Sequence, residues 1–260
     1  MSDSESFIAS KPPWLKGLVA LAVLVGAILV FRAVAPAVMA SRQMTAERLA
    51  QQVENDPIGG ESFRSIKSAY PNEYRAFLVR TVEVIRREGA AAAEREAFHF
   101  SRSLMRSKLD DMLRAPALRL RGLAGAYADL IRALGARDVG LCGRFVTVGI
   151  TPETRMPREL LSRFNNLLPL QISLAQDGAD ERRATRRDAS QAEATAFMER
   201  LATISPAAAE LVQDDARLMA ATATQQCDAG LAIYRAAATL PPETSANIMA
   251  VLIRESFQSP

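Results

Sequence analysis

The sequence predicts an all-α protein: a single N-terminal transmembrane helix, then a multi-helix bundle with one long irregular loop near 136–156. Three observations carry this. An apolar run extends from Leu15 to Ala40, and its heart, Leu18 to Phe31, is fourteen residues without a charge. Alanine, leucine, arginine and glutamate dominate the remainder and aromatics make up only 6%, a balance that favours helices over strands. From Asn72 onward, apolar residues recur at helical spacing.

Residues 1–14 form a short polar tail with four serines and Pro12-Pro13. The span at 15–40 is long enough for a hydrocarbon core of ~30 Å, which needs about 20 helical residues. Leu18, Leu21, Leu24, Ile28 and Phe31 mark its apolar surface, and Trp14 suits the interface before it. Arg32 near one end can lift its guanidinium to the headgroups. Val38-Met39-Ala40 before Ser41 has the small-residue pattern of a cleavage site, but the leading segment is long and Asp3 and Glu5 dilute its charge. An uncleaved signal anchor is therefore expected. Residues 41–60 read as a juxtamembrane helix and hinge, with Asp56-Pro57-Ile58-Gly59-Gly60 as the breaker.

The bundle domain is expected over 61–260. Phe77, Val84, Ala91, Phe98, Met105 and Met112 recur at sevens, which gives one apolar stripe and, if unbroken, a helix of about 60 Å. Gly89 before four alanines is where that helix would bend or split. The polar residues Thr81, Glu88, Arg95 and Arg102 at the complementary positions favour a core-facing helix over a coiled-coil seam. Pro116 opens a helix that closes at Gly135. Residues 136–156 hold three glycines, Cys142 and a strand-like Phe145-Val146-Thr147-Val148, hence the expected loop. Pro157 opens another helix, Pro169 kinks or ends it and Asp177-Gly178 breaks the chain. A charged helix is expected at 180–200. Ser205-Pro206 reads as the cap of a long helix to Leu240, and a closing helix covers 243–257.

The net charge of +3 becomes +2 after residue 40, once Arg32 is set aside and Lys11 and Lys16 are offset by Asp3 and Glu5. Such balance excludes a global basic field, so no nucleic-acid partner is expected. The two cysteines, Cys142 and Cys227, belong to no C-x-x-C pair. In an exported domain they pair as a disulfide, closing a loop of about 86 residues. Lys11 and Lys16 precede the span while Arg32, Arg42 and Arg48 follow it, so positive charge leans toward a cytoplasmic bundle. The cysteines point to a periplasmic one, and that orientation is preferred.

Catalytic and metal motifs are scarce. The single histidine, His99, and two distant cysteines supply too few ligands for a zinc site. His99, between Phe98 and Phe100, reads as a core or interface residue. There is no G-x-S-x-G elbow, S-x-x-K motif or phosphate loop. Asp110-Asp111 and Asp214-Asp215 are helix neighbours pointing about 100° apart, so neither pair shares a face. No cofactor is expected. From Arg75 to Arg121 there are eleven basic and six acidic residues. The densest part is Arg102, Arg106, Lys108, Arg114, Arg119 and Arg121, a patch that is either a solvated face with internal ion pairs or a site for anionic lipid or polymer.

These readings define a single-pass bacterial inner-membrane protein with a periplasmic domain. Its expected role is non-catalytic, as a structural, assembly or regulatory partner in an envelope complex. An envelope enzyme acting on lipid or cell wall, or a cytoplasm-facing tethered adaptor, is the alternative.

Overall fold

The computed structural model describes residues 44–151, 154–180 and 185–258. The expected span, with Leu18, Leu21, Leu24, Ile28 and Phe31, lies outside the described residues. Among those described, no helix is long and apolar enough to cross a membrane. The described chain is all-helical and builds a multi-helix bundle.

The first four helices form one lateral unit. They are α1 (Ala46–Glu54), α2 (Gly60–Ala69), α3 (Pro71–Glu88) and α4 (Ala90–Ser107). The Thr45 hydroxyl accepts from the Arg48 N–H to cap α1, and Leu49 and Val53 are fully buried. The segment expected as a juxtamembrane hinge is thus, from Met44 on, packed into the core with α2 and α3. Its breaker is pinned: the Asp56 carboxylate accepts from the Ile58 and Gly59 N–H groups, and the Asn165 amide donates to the Ile58 carbonyl at 3.0 Å.

The expected long helix beyond Asn72 is three helices. Gly89 adopts φ +85°, a left-handed conformation that costs glycine little. There the chain reverses. Arg80 meets Glu96 and Phe77 stacks on Phe100, so α3 and α4 run antiparallel as a hairpin. Lys108 separates α4 from α5 (Leu109–Arg114).

The second unit is built on α6 (Ala117–Arg137), which packs along α13 (Ala223–Thr239), α14 (Pro242–Gln258) and α7 (Val139–Thr147). The irregular loop expected near 136–156 is corrected here: it is helical as far as Thr147. Asp138 caps α7 by accepting from the Leu141 N–H at 2.8 Å. Burial of Leu141, Cys142, Phe145 and Val146 on one side of that helix overrides the strand preference of the Phe-Val-Thr-Val run. Gly143 and Gly230 let α7 and α13 approach closely. A Cβ on Gly230 would stand 2.3 Å from Val146 Cγ2 and one on Gly143 2.9 Å from the Ala223 backbone.

Helices α8 (Arg158–Asn165) and α9 (Leu167–Asp180) bridge the two units, α9 packing on α5, α2 and α6. Pro169 sits in the first turn of α9, where its missing N–H costs nothing. The expected break at Asp177-Gly178 is absent. Gly178 stays helical because α9 crosses α5 there, and a Cβ would overlap the Asp111 carbonyl. The expected charged helix at 180–200 starts later, at α10 (Gln191–Ile204). Its start is set by a capping box between Ser190 and Glu193. The described residues 185–190 form an extended strap whose Arg186 reaches the Ala115 carbonyl and Glu243. Ser205 caps a helix as expected, but the long helix to Leu240 is divided into α11 (Pro206–Leu211), α12 (Asp215–Ala220) and α13. Side-chain caps at Asp214 and Thr222 mark the two restarts.

Candidate functional site: the outer face of the α3/α4 hairpin

The hairpin carries an open groove beside charged side chains. A cleft of about 430 Å³ runs between α3 and α4, lined by Glu73, Phe77, Arg80, Glu96, His99 and Ser103 among others. Its floor is aromatic. Phe77 and Phe100 stack with centroids 4.4 Å apart, and Phe63 stacks behind Phe77 at 6.0 Å. Arg80 and Glu96 form an ion pair at 2.6 Å across it.

His99 is exposed on the wall of this cleft, so it is not a core histidine. Phe98 turns inward and is buried, while the imidazole meets its ring edge-on at 5.7 Å. Glu96, His99 and Ser103 bring an acid, an imidazole and a hydroxyl onto one wall. They do not form a catalytic relay: Glu96 is committed to Arg80, and among the described residues no hydrogen bond links the three. A nucleophile needs its base, and the base its orienting group, within hydrogen-bond reach.

The six residues of the expected anionic-partner patch fall apart in space. Lys108 is engaged by Glu73 at 3.6 Å and lies over the Tyr70 ring at 4.7 Å. Burial, with the Asp111 and Glu73 carboxylates nearby, pushes the Tyr70 phenol up to about 12, so that ring stays neutral beneath the ammonium. Arg114 pairs with Asp111 and donates to the Gly178 carbonyl. Arg119 pairs with Asp177 at 2.8 Å and also donates to the Ser173 hydroxyl. Those three cations tie α4, α5 and α6 to their neighbours. Arg121 is half-buried on α6.

Arg102 and Arg106 lie on α4, and there the fold adds two residues that the reading by local density missed. Arg95, His99, Arg102 and Arg106 recur at intervals of four, three and four, which confines them to an arc of about 60° on the helix. Arg95, His99 and Arg106 are exposed and Arg102 is half-buried. The two carboxylates of α4, Glu94 and Glu96, lie outside that arc. The signal was present in the sequence as helical spacing, but it became readable only once Gly89 was known to turn the chain and α4 to stand alone.

The cysteine pair forms the other built feature. Cys142 on α7 and Cys227 on α13 stand at disulfide distance, with Sγ atoms 2.01 Å and Cα atoms 5.2 Å apart. Both are buried. Gly135 on α6 makes room for them, since a Cβ there would lie 2.8 Å from Cys227 Sγ. Nearby in the same layer, Tyr127 and Tyr234 stack at 4.9 Å, and Gln171 donates to the Tyr127 hydroxyl at 2.8 Å. Burial raises both phenols well above their ordinary range, so neither ionises under physiological conditions.

Among the described residues no cluster of three or more His, Cys, Asp or Glu side chains is placed to hold a metal. Comparison with family models, with curated proteins and with solved structures gave no match.

Proposed function

We propose that the chain is a membrane-tethered, non-catalytic helical protein. It serves as a structural, assembly or regulatory partner in a bacterial envelope complex, with its bundle in the periplasm. The observation that carries this reading is the Cys142–Cys227 pair. Two thiols 85 residues apart in sequence are brought to bonding distance between packed helices. Such a pair persists as a disulfide in an oxidising compartment and is rare in the cytosol. An apolar run of the length of 15–40 ahead of such a domain supplies the tether. The hairpin supports a binding role, because its open groove and basic stripe sit away from the packed layer and its acid and imidazole are not coupled for proton transfer.

Thiol labelling of intact spheroplasts with a membrane-impermeant maleimide tests compartment and pairing together. Labelling from outside only after reduction is the expected result. Labelling only after lysis, without reductant, would put the bundle in the cytoplasm with free thiols and end this reading.

A further inference from the structure

We infer that the outer stripe of α4, Arg95-His99-Arg102-Arg106, docks on the anionic phospholipid headgroups of the leaflet from which the chain emerges. This rests on the tether proposed above and adds to it a second, electrostatic contact with the same membrane.

The geometry of the chain's arrival favours lipid over any other polyanion. The Met44 carbonyl accepts from Arg86 Nη2 at 2.7 Å, near the C-terminal end of α3. At the far end of α1, Glu54 accepts from the Tyr74 hydroxyl at 3.0 Å, near the start of α3. Helix α1 therefore runs antiparallel to α3, and the chain joins the bundle at the hairpin's turn. Ala40, the end of the proposed span, is four residues from Met44, at most about 14 Å of extended chain. The stripe begins at Arg95, about 8 Å along α4 from that turn, and extends about 16 Å further. It thus starts close to the point where the chain enters the bundle.

The charge pattern selects the stripe rather than the turn itself. At the turn, exposed Glu83 and Glu88 balance exposed Arg86 and Arg87. On the stripe, Arg95 and Arg106 are exposed beside half-buried Arg102, Glu96 is turned aside to Arg80, and guanidinium groups suit phosphate oxygens. Each arginine near an anionic bilayer adds about fivefold to attraction, and the effect decays within a Debye length.

The test uses the full chain in vesicles with the native cysteines oxidised. An Ala91→Cys variant carries a fluorophore beside the stripe, and a Met219→Cys variant carries it at an exposed site in another helix. Vesicles contain phosphatidylcholine alone or with three-tenths phosphatidylglycerol, together with a headgroup nitroxide quencher. Quenching at position 91 should be strong only in anionic vesicles and should fall at high salt. The docked-to-undocked ratio should drop about thirtyfold in Arg95→Gln/Arg106→Gln and recover in Arg95→Lys/Arg106→Lys. Position 219 should not respond.

Equal quenching at position 91 in both vesicle types would overturn the inference, as would an unaltered signal in the glutamine variant. So would salt-sensitive binding of soluble polyglutamate without lipid-dependent quenching, which would assign the stripe to an acidic protein or polymer. Flotation with neutral vesicles reads the tether separately. Its failure alone would remove the span, whereas lipid-dependent quenching would still stand for the stripe.

Discussion

The layer of α6, α7 and α13 and the hairpin of α3 and α4 are held together by different means. In the layer, helices touch backbone to side chain. Gly143 and Gly230 admit their neighbours at distances a Cβ would forbid, Tyr127 and Tyr234 stack without solvent, and the cysteine pair ties α7 to α13. In the hairpin, the inner faces of both helices join the core through residues such as Leu78, Val82, Ala93 and Ala97, a stack and an ion pair bridge them further out, and an open cleft separates their flanks. Close packing leaves no surface to spare for a ligand. The looser pairing leaves a wall of polar side chains and a cationic stripe. The contrast teaches where to look for binding: on the flank of the hairpin that the core leaves open.

Breaking the layer should have the largest effect. Replacing Cys142 and Cys227 by alanine removes a cross-link over 85 residues, worth about 4 kcal/mol on the chain-entropy account. Urea unfolding of the oxidised protein against the double variant should show that loss, and reductant should destabilise the native protein but not the variant. A loss below about 1 kcal/mol would mean that the glycine-mediated packing alone holds the layer.

Breaking the hairpin should cost somewhat less and should be local. Phe77 is buried between Phe63 and Phe100, and truncation to alanine should cost about 3 kcal/mol. Hydrogen exchange should speed first in α3 and α4 while α6 and α13 stay protected, because sub-global opening follows the weakest contacts. Uniform loss of protection would show that the two regions unfold as one and would remove the contrast.

The sequence made the two regions unequally legible. The cysteine pairing, the all-helical class and the cap at Ser205 follow from local chemistry. The run Phe145-Val146-Thr147-Val148 misled, because strand preference is a packing preference and α7 buries these residues on a helical face. Gly178 misled in the opposite sense. Read alone it is a breaker, yet it stays helical because α9 must pass the Asp111 carbonyl. The cationic site was half visible. Density along the chain picked out Lys108, Arg114 and Arg119, whose carboxylate partners Glu73 and Asp177 are supplied largely by other helices. Arg95 and His99 were passed over because their partners in the stripe are a turn or more away. Tertiary pairing with carboxylates on other helices scatters these cations, and sequence spacing alone does not record it.

The strap over α14 offers the smallest and sharpest test, because it lies apart from both regions and should leave their difference intact. Burial would raise the Glu193 carboxyl, but hydrogen bonds from the Ser190 backbone and hydroxyl and from Asn247, with Arg187 beside it, bring it down to about 2 from its usual 4.5. A carboxyl whose folded value is lowered contributes stability above its unfolded value and loses it as pH falls through the folded one. The native protein should therefore lose this contribution between about pH 4.5 and pH 2. Glu193→Gln removes the charge while keeping a hydrogen-bonding side chain at the cap. It should cost about 1–2 kcal/mol at neutral pH, and its stability relative to the native protein should converge across that window. The exchange rates of α4 and α13 relative to each other should not change. A selective change in α4 would mean that the strap, through Arg186 and the Ala115 carbonyl, also braces the helices leading into the hairpin.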